Sequence, residues 1–331
     1  RRARRHGIRG GQKEVTQGEP LAVYVPTSDV GVEIGGGVGL QYHYGTLGQL
    51  EHGVNYANAY LETIGQRPSQ TRPLKTWPYK AGAKVKLFVL AGHRNMEGER
   101  AFVQELKSMR GKSSLLKDNH HIAFRYSIGG GYKVSAGWEP LGPAGYYDTF
   151  GPELSFGAAV GRKLRDGVAV AKFTHSGSQI IDWTPAGSEA ATRNLYPSFI
   201  AFVRECLQEI RDHGQQVELA GIFYHLGEND MSWGPFRRGA PARLQSLVNQ
   251  SRLDLGLPAL PWFVSQQPPT DDERVNGIDV TSELEKVAAA DPYLIHVKAF
   301  DLPEQEKKLV LDTAGVVALG ELLARSFLER R

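Results

Sequence analysis

Five short runs of apolar, largely β-branched residues recur through the last 250 or so residues of the chain with helical segments between them. This alternation restricts the region to a parallel sheet wrapped by helices. The runs fall at 85–90, 168–173, 218–224, 262–265 and 293–299, and the helical periodicity predicts helices near 97–110, 151–165, 196–213, 238–254, 281–290 and 315–330. His213 and Gly214 supply a C-terminal stop for the third of these. In an open α/β sheet the ligand site lies beyond the carboxyl ends of the strands. The segments 91–96, 174–179, 225–230 and 265–272 occupy that position, and all are rich in His, Ser, Asn, Gln or acid.

At 331 residues, 41% hydrophobic and 23% charged, the chain has ordinary globular composition and enough length for a large core. Its formal charge of +3 is concentrated in the opening residues, where Arg1, Arg2, Arg4, Arg5, Arg9 and Lys13 face no nearby acid. No nucleic-acid module follows them, so a solvated basic tip is expected rather than a nucleic-acid partner. Cys206 is the single cysteine. An internal disulfide and a thiolate zinc site are thereby excluded, and its helical setting makes it a buried structural thiol. No apolar run approaches the ~20 residues of a membrane span, and the basic opening lacks the apolar core of a secretory signal. A soluble chain with no membrane partner is the expectation.

The first 83 residues stand outside the strand count. Glu19-Pro20 and the apolar residues after it read like Asp291-Pro292 and the run that follows, and each is followed by a helix opening Thr-x-Gly, at Thr46 and at Thr313. The expected organisation is a strand-helix remnant of a preceding copy over 1–65, a proline-rich connector over 66–83 and one α/β domain over 84–331. An unpaired strand in the first lobe would leave an open edge, for which pairing with a second copy is the expected cover.

Four blocks in the domain carry a family resemblance. Gly92-His93-Arg94-Asn95-Met96 ends the first strand, and Phe150-Gly151-Pro152-Glu153 opens a helix. Lys172 to Ser178 and Asp182-Trp183 follow the second strand, and Tyr224-His225-Leu226-Gly227-Glu228-Asn229-Asp230 follows the third. In this order the blocks resemble the SGNH-type sialate O-acetylesterases and family 6 carbohydrate (acetylxylan) esterases. The resemblance implies a flavodoxin-like, three-layer αβα fold with a five-stranded parallel sheet, carbohydrate esters as the substrate class and an exported location. It also implies a serine nucleophile at the position of Arg94, and an aspartate and a histidine at the positions of Lys307 and Val310. A guanidinium stays protonated and has no lone pair to offer a carbonyl, so the family's covalent route is absent at that position. His43 matches the family histidine in the truncated copy, with Leu40 where its aspartate would be.

The strand ends are expected to gather His93, His175, Ser176, His225, Glu228 and Asp230 as the groups able to run chemistry, with Gly92, Arg94, Asn95, Gly177 and Asp182 as ligand-binding positions. Arg94 serves either as a bidentate clamp on an anionic ligand or as the cation of an internal salt bridge to Glu228 or Asp230. No organic cofactor is expected. The histidines and carboxylates also satisfy the ligand types of a divalent metal, although no His-x-x-x-His pair supports one. Two functional readings stay open. One is an esterase-like domain that binds carbohydrate or acyl ligands without serine catalysis, and the other is a hydrolase of esters or lactones using water activated by the His/Glu/Asp cluster.

Overall fold

The computed structural model describes residues 23–25, 33–34, 42–43, 46–63, 74, 76–146, 148–188, 194–271, 275–303 and 310–330. The chain divides into two compact units, Arg1–Gln70 and Thr71–Arg331. In the first unit β1 (Glu33–Ile34) pairs antiparallel with β2 (Tyr42–His43), and α1 runs over Thr46–Thr63. Residues 23–25, within the stretch expected as a strand, are irregular. Leu40 and the side chain of His43 lie outside the described residues.

The second unit is built on an eight-stranded sheet in the order β10-β9-β8-β3-β7-β4-β5, with β6 also on β4. The core strands are β3 (Lys84–Gly92), β4 (Asn119–Ile128), β7 (Gly167–Thr174), β8 (Gln216–Leu226), β9 (Trp262–Gln266) and β10 (Leu294–Lys298), all paired in parallel. The short β5 (Lys133–Val134) and β6 (Glu139–Leu141) run antiparallel to β4. The expected five-stranded sheet is therefore too small. The missed parallel strand is β4, which includes His120 and His121 and in which Arg125 interrupts the apolar run.

Strand β3 shows why the sheet must be covered on both faces. Its side chains alternate: Val85, Leu87, Val89 and Ala91 enter one apolar cluster, while Phe88 and Leu90 enter the other. The first cluster is closed by α5 (Tyr196–Asp212), α7 (Gly234–Leu255) and α8 (Val280–Ala289), through residues such as Phe199, Leu244 and Leu284. The second is closed by α4 (Glu153–Lys163) and α9 (Thr313–Leu328), through Phe156, Leu323 and Phe327. The result is the three-layer αβα arrangement.

The helix expected over 97–110 is two pieces, α2 (Arg94–Glu97) and α3 (Val103–Ser108). Gly98 separates them at φ 88°, where an added Cβ would lie 1.7 Å from the carbonyl oxygen of Phe150. The stretch expected as connector is partly fixed to the domain. Trp77 stacks on His213 and donates to Gln215, and the Tyr79 hydroxyl donates to the Val168 carbonyl and accepts the Ala123 amide.

Candidate functional site

Register brings the predicted residues together. Gly92 at the end of β3 lies opposite Thr174 of β7 and His225 of β8, and Leu226 lies opposite Gln266 of β9. Gly92 takes φ 144° with the His225 backbone 2.9 Å from where a Cβ would sit, so the turn into α2 requires glycine. The short α6 (Glu228–Ser232) leaves β8 in the same way that α2 leaves β3. All six residues predicted to run chemistry are buried here, with Arg94 and Asn95.

Arg94 occupies the turn as the cation of a carboxylate pair. Its Nε lies 2.9 Å from Oε2 of Glu99 and 3.4 Å from Oε1 of Glu228. Ser176 donates its hydroxyl to the same Glu99 oxygen at 2.6 Å, which directs the serine away from any histidine. Burial pushes the Glu228 carboxyl up, partly offset by the Arg94 charge. Apart from the Arg94 contact and its own backbone amide, the Glu228 carboxyl meets no hydrogen-bond donor among the described residues.

His93 lies at the centre of a closed network. The Ser178 hydroxyl donates to the His175 carbonyl at 2.7 Å, leaving its oxygen to accept from Trp183 Nε1 at 3.0 Å and from His93 Nδ1 at 2.7 Å. This network assigns the proton to Nδ1, so Nε2 accepts the Tyr224 hydroxyl at 2.7 Å. Asp230 stands 3.6 Å from the same nitrogen, while both of its oxygens accept the Ile180 amide. Burial drives the carboxyl of Asp230 and the phenol of Tyr224 well above their ordinary values.

His225 is equally engaged. Its Nδ1 faces Ser265 Oγ at 2.9 Å, and the Asn95 amide nitrogen stands 3.4 Å from Nε2. Burial depresses its pKa from 6.5 to about 4, so the ring is neutral and weakly basic at neutral pH. Asn95 also donates to Gln267 at 2.6 Å and accepts the Leu311 amide at 2.8 Å, tying the first strand end to β9 and to the entry of α9. His175 donates from Nδ1 to the Ser176 carbonyl at 2.7 Å. The Asp182 carboxylate accepts the Gln179 amide at 2.9 Å and caps the short turn Ile180–Trp183, and Gly177 precedes that turn at φ 71°.

The sequence reading missed Glu97, Glu99, Ser178 and Gln267 as partners. Glu97 accepts the Thr174 hydroxyl and the Ser176 amide, at 2.9 and 3.2 Å. Their one signal was position, just past a strand end. Val310 is buried, and Lys307 lies outside the described residues. Among the described residues no three His, Cys, Asp or Glu side chains converge as metal ligands. No described helix is long and apolar enough to cross a membrane.

An αβα sheet with this constellation at its strand ends defines the class of SGNH-type hydrolase folds. The sequence profile of the family described as carbohydrate esterase, sialic acid-specific acetylesterase matches residues 84–329, and the chain belongs to that family. Among solved structures, a protein from Arabidopsis thaliana is similar at 19% identity and TM-score 0.55, covering 74% of this chain and 98% of that one. NanS is similar at 13% identity and TM-score 0.54, covering 76% and 99%. At these identities the likeness shows the fold. No curated protein matches the chain.

Proposed function

We propose that the domain binds a carbohydrate or acyl-ester ligand at its strand ends without the serine catalysis of its family. The observation that carries this reading is Arg94, at the nucleophile position, held by Glu99 and Glu228. A general base must reach its proton donor with a free lone pair. The assigned tautomers commit Nε2 of His93 to Tyr224, while Nε2 of His225 faces the Asn95 amide and its basicity is depressed. Both facts weigh against water activation by the cluster. The ligand class is supported by family membership and by the Glu228 carboxyl, whose oxygens are left for a sugar hydroxyl to satisfy. An exported location belongs to the same reading and rests on the family.

The test is hydrolysis of p-nitrophenyl acetate, an O-acetylated sialic acid and a short lactone, with and without chelator, alongside saturation-transfer NMR of the acetylated sugar. No turnover above buffer, with sugar binding lost in Glu228→Ala, is the expected result. Turnover abolished by Glu228→Ala and by chelator would replace this reading with metal-activated hydrolysis.

A further inference from the structure

A cleft of about 590 Å³ opens at the other end of the sheet, where β4 and β7 begin. β7 runs from Gly167 at the cleft to Thr174 at the strand-end site. At ~3.3 Å per residue the two places are roughly 23 Å apart. The cleft lies in the usual size range of small-molecule sites, about 300–1,000 Å³.

Its floor is apolar, made by Ile122, Leu141, Leu154, Ala158 and the partly buried Leu115. Its rim carries Lys117, Arg162 and Arg165, all exposed, and none has an ion pair or hydrogen-bond partner among the described residues. The one rim carboxylate, Asp166, lies 3.9 Å from Lys86. The helix dipole of α4 explains a cation at Arg162 in its last turn, but not Arg165 or Lys117, which lie outside that helix. One wall is fixed in advance: the Tyr79 ring lies against Gly167, where an added Cβ would meet it at 2.8 Å, and its hydroxyl joins β7 to β4. A preformed apolar floor under three uncompensated cations matches a ligand with an apolar body and an anionic head.

We infer that this cleft is a binding site for a soluble amphipathic organic anion, a carboxylate or sulfonate on an aliphatic or aromatic body. The site is separate from the cluster at the strand ends. Titration calorimetry of the full chain with naphthalene-2-sulfonate, and with uncharged 2-naphthol as control, tests it. The expected result is saturable one-to-one binding of the sulfonate and much weaker binding of the naphthol. Reversing two rim charges in Arg162→Glu/Arg165→Glu should weaken the sulfonate by about tenfold or more. Ala158→Trp, which fills the floor, should abolish binding. No saturable heat with the sulfonate overturns the inference. So does equal affinity in the charge-reversed variant, equal binding of 2-naphthol, or undiminished binding in Ala158→Trp, which would move the probe to another place on the domain.

Discussion

The Nε of Arg94 lies 3.4 Å from Oε1 of Glu228, linking the turn that leaves β3 to the turn that leaves β8. Two strand ends are thus joined by an internal ion pair. On the proposed reading a serine placed at position 94 finds no base for its proton, because Nε2 of His93 already accepts the Tyr224 hydroxyl and burial depresses the basicity of His225. Arg94→Ser is therefore expected to hydrolyse p-nitrophenyl acetate no faster than wild type. It should also lose stability by about 3–5 kcal/mol in urea unfolding at pH 8, since both carboxylates lose their cation. A large gain in turnover would mean that another residue supplies the base.

The buried titratable groups give the domain a pH-dependent stability with two opposing parts. His225 titrates near 4 when folded against 6.5 ordinarily, so between those values the unfolded chain binds a proton that the folded one refuses. Stability from this group is intact above 6.5 and falls as pH drops through the window, by about 3 kcal/mol in all. Glu228 and Asp230 act in the other sense: their raised values mean that stability falls as pH rises above the ordinary carboxyl range. The difference in unfolding free energy between wild type and His225→Asn isolates the first part. That difference is expected to shift against wild type as pH drops from 7 to 4, and a flat difference would show that His225 is not depressed.

Glu228 supplies a separate check of the second part. Glu228→Gln removes the cost of burying a carboxylate while Arg94 keeps Glu99. Its stability relative to wild type should therefore be greater at pH 8 than at pH 5, as read by paired denaturant titrations. The reverse trend would mean that Glu228 is ionised and held mainly by Arg94.

The layer order of the fold was legible because β3, β7 and β8 are buried on both faces and read as predominantly apolar runs. β4 was not, because Asn119, His120 and His121 at its start and Arg125, which reaches Glu205 and Glu209 on α5, leave an apolar stretch of only three residues between polar ones. The split of the expected helix at Gly98 depends on the approach of the Phe150 carbonyl, 52 residues later, which no local pattern encodes. The site residues were found because they sit at strand ends. Their roles were hidden, since the pairing of Arg94 with Glu99, of His93 with Ser178 and of Asn95 with Gln267 is a matter of rotamers and register.

Asn95 shows that a residue of the family turn holds the architecture together. Its side chain donates to Gln267 and accepts the Leu311 amide, and no apolar side chain replaces either bond. Asn95→Ala should cost about 2–4 kcal/mol, one unsatisfied buried group on each side. Hydrogen exchange should rise most at Leu311 and the first turn of α9. Uniform exchange across the domain would assign the loss to global destabilisation alone.

The most demanding polar arrangement lies just behind the site, where Lys172 is fully buried. Its ammonium donates to the Glu97 carbonyl, the Ala144 carbonyl and Glu153 Oε2, at 2.9, 2.8 and 2.9 Å, using all three protons. Glu153 in turn accepts the Gly151 and Ala144 amides, so both charges are fully solvated by protein. Lys172→Met keeps the stem and removes the charge, leaving Glu153 buried with two amides and no cation. The expected loss is about 3–5 kcal/mol, the cost typical of an orphaned buried partner. Adding Glu153→Gln should recover part of it, because a neutral amide removes the uncompensated charge, although the Glu97 and Ala144 carbonyls still lack the lysine's protons. A double variant no better than the single would mean that the loss comes from the Glu97 and Ala144 carbonyls left without a donor and not from the charge of Glu153.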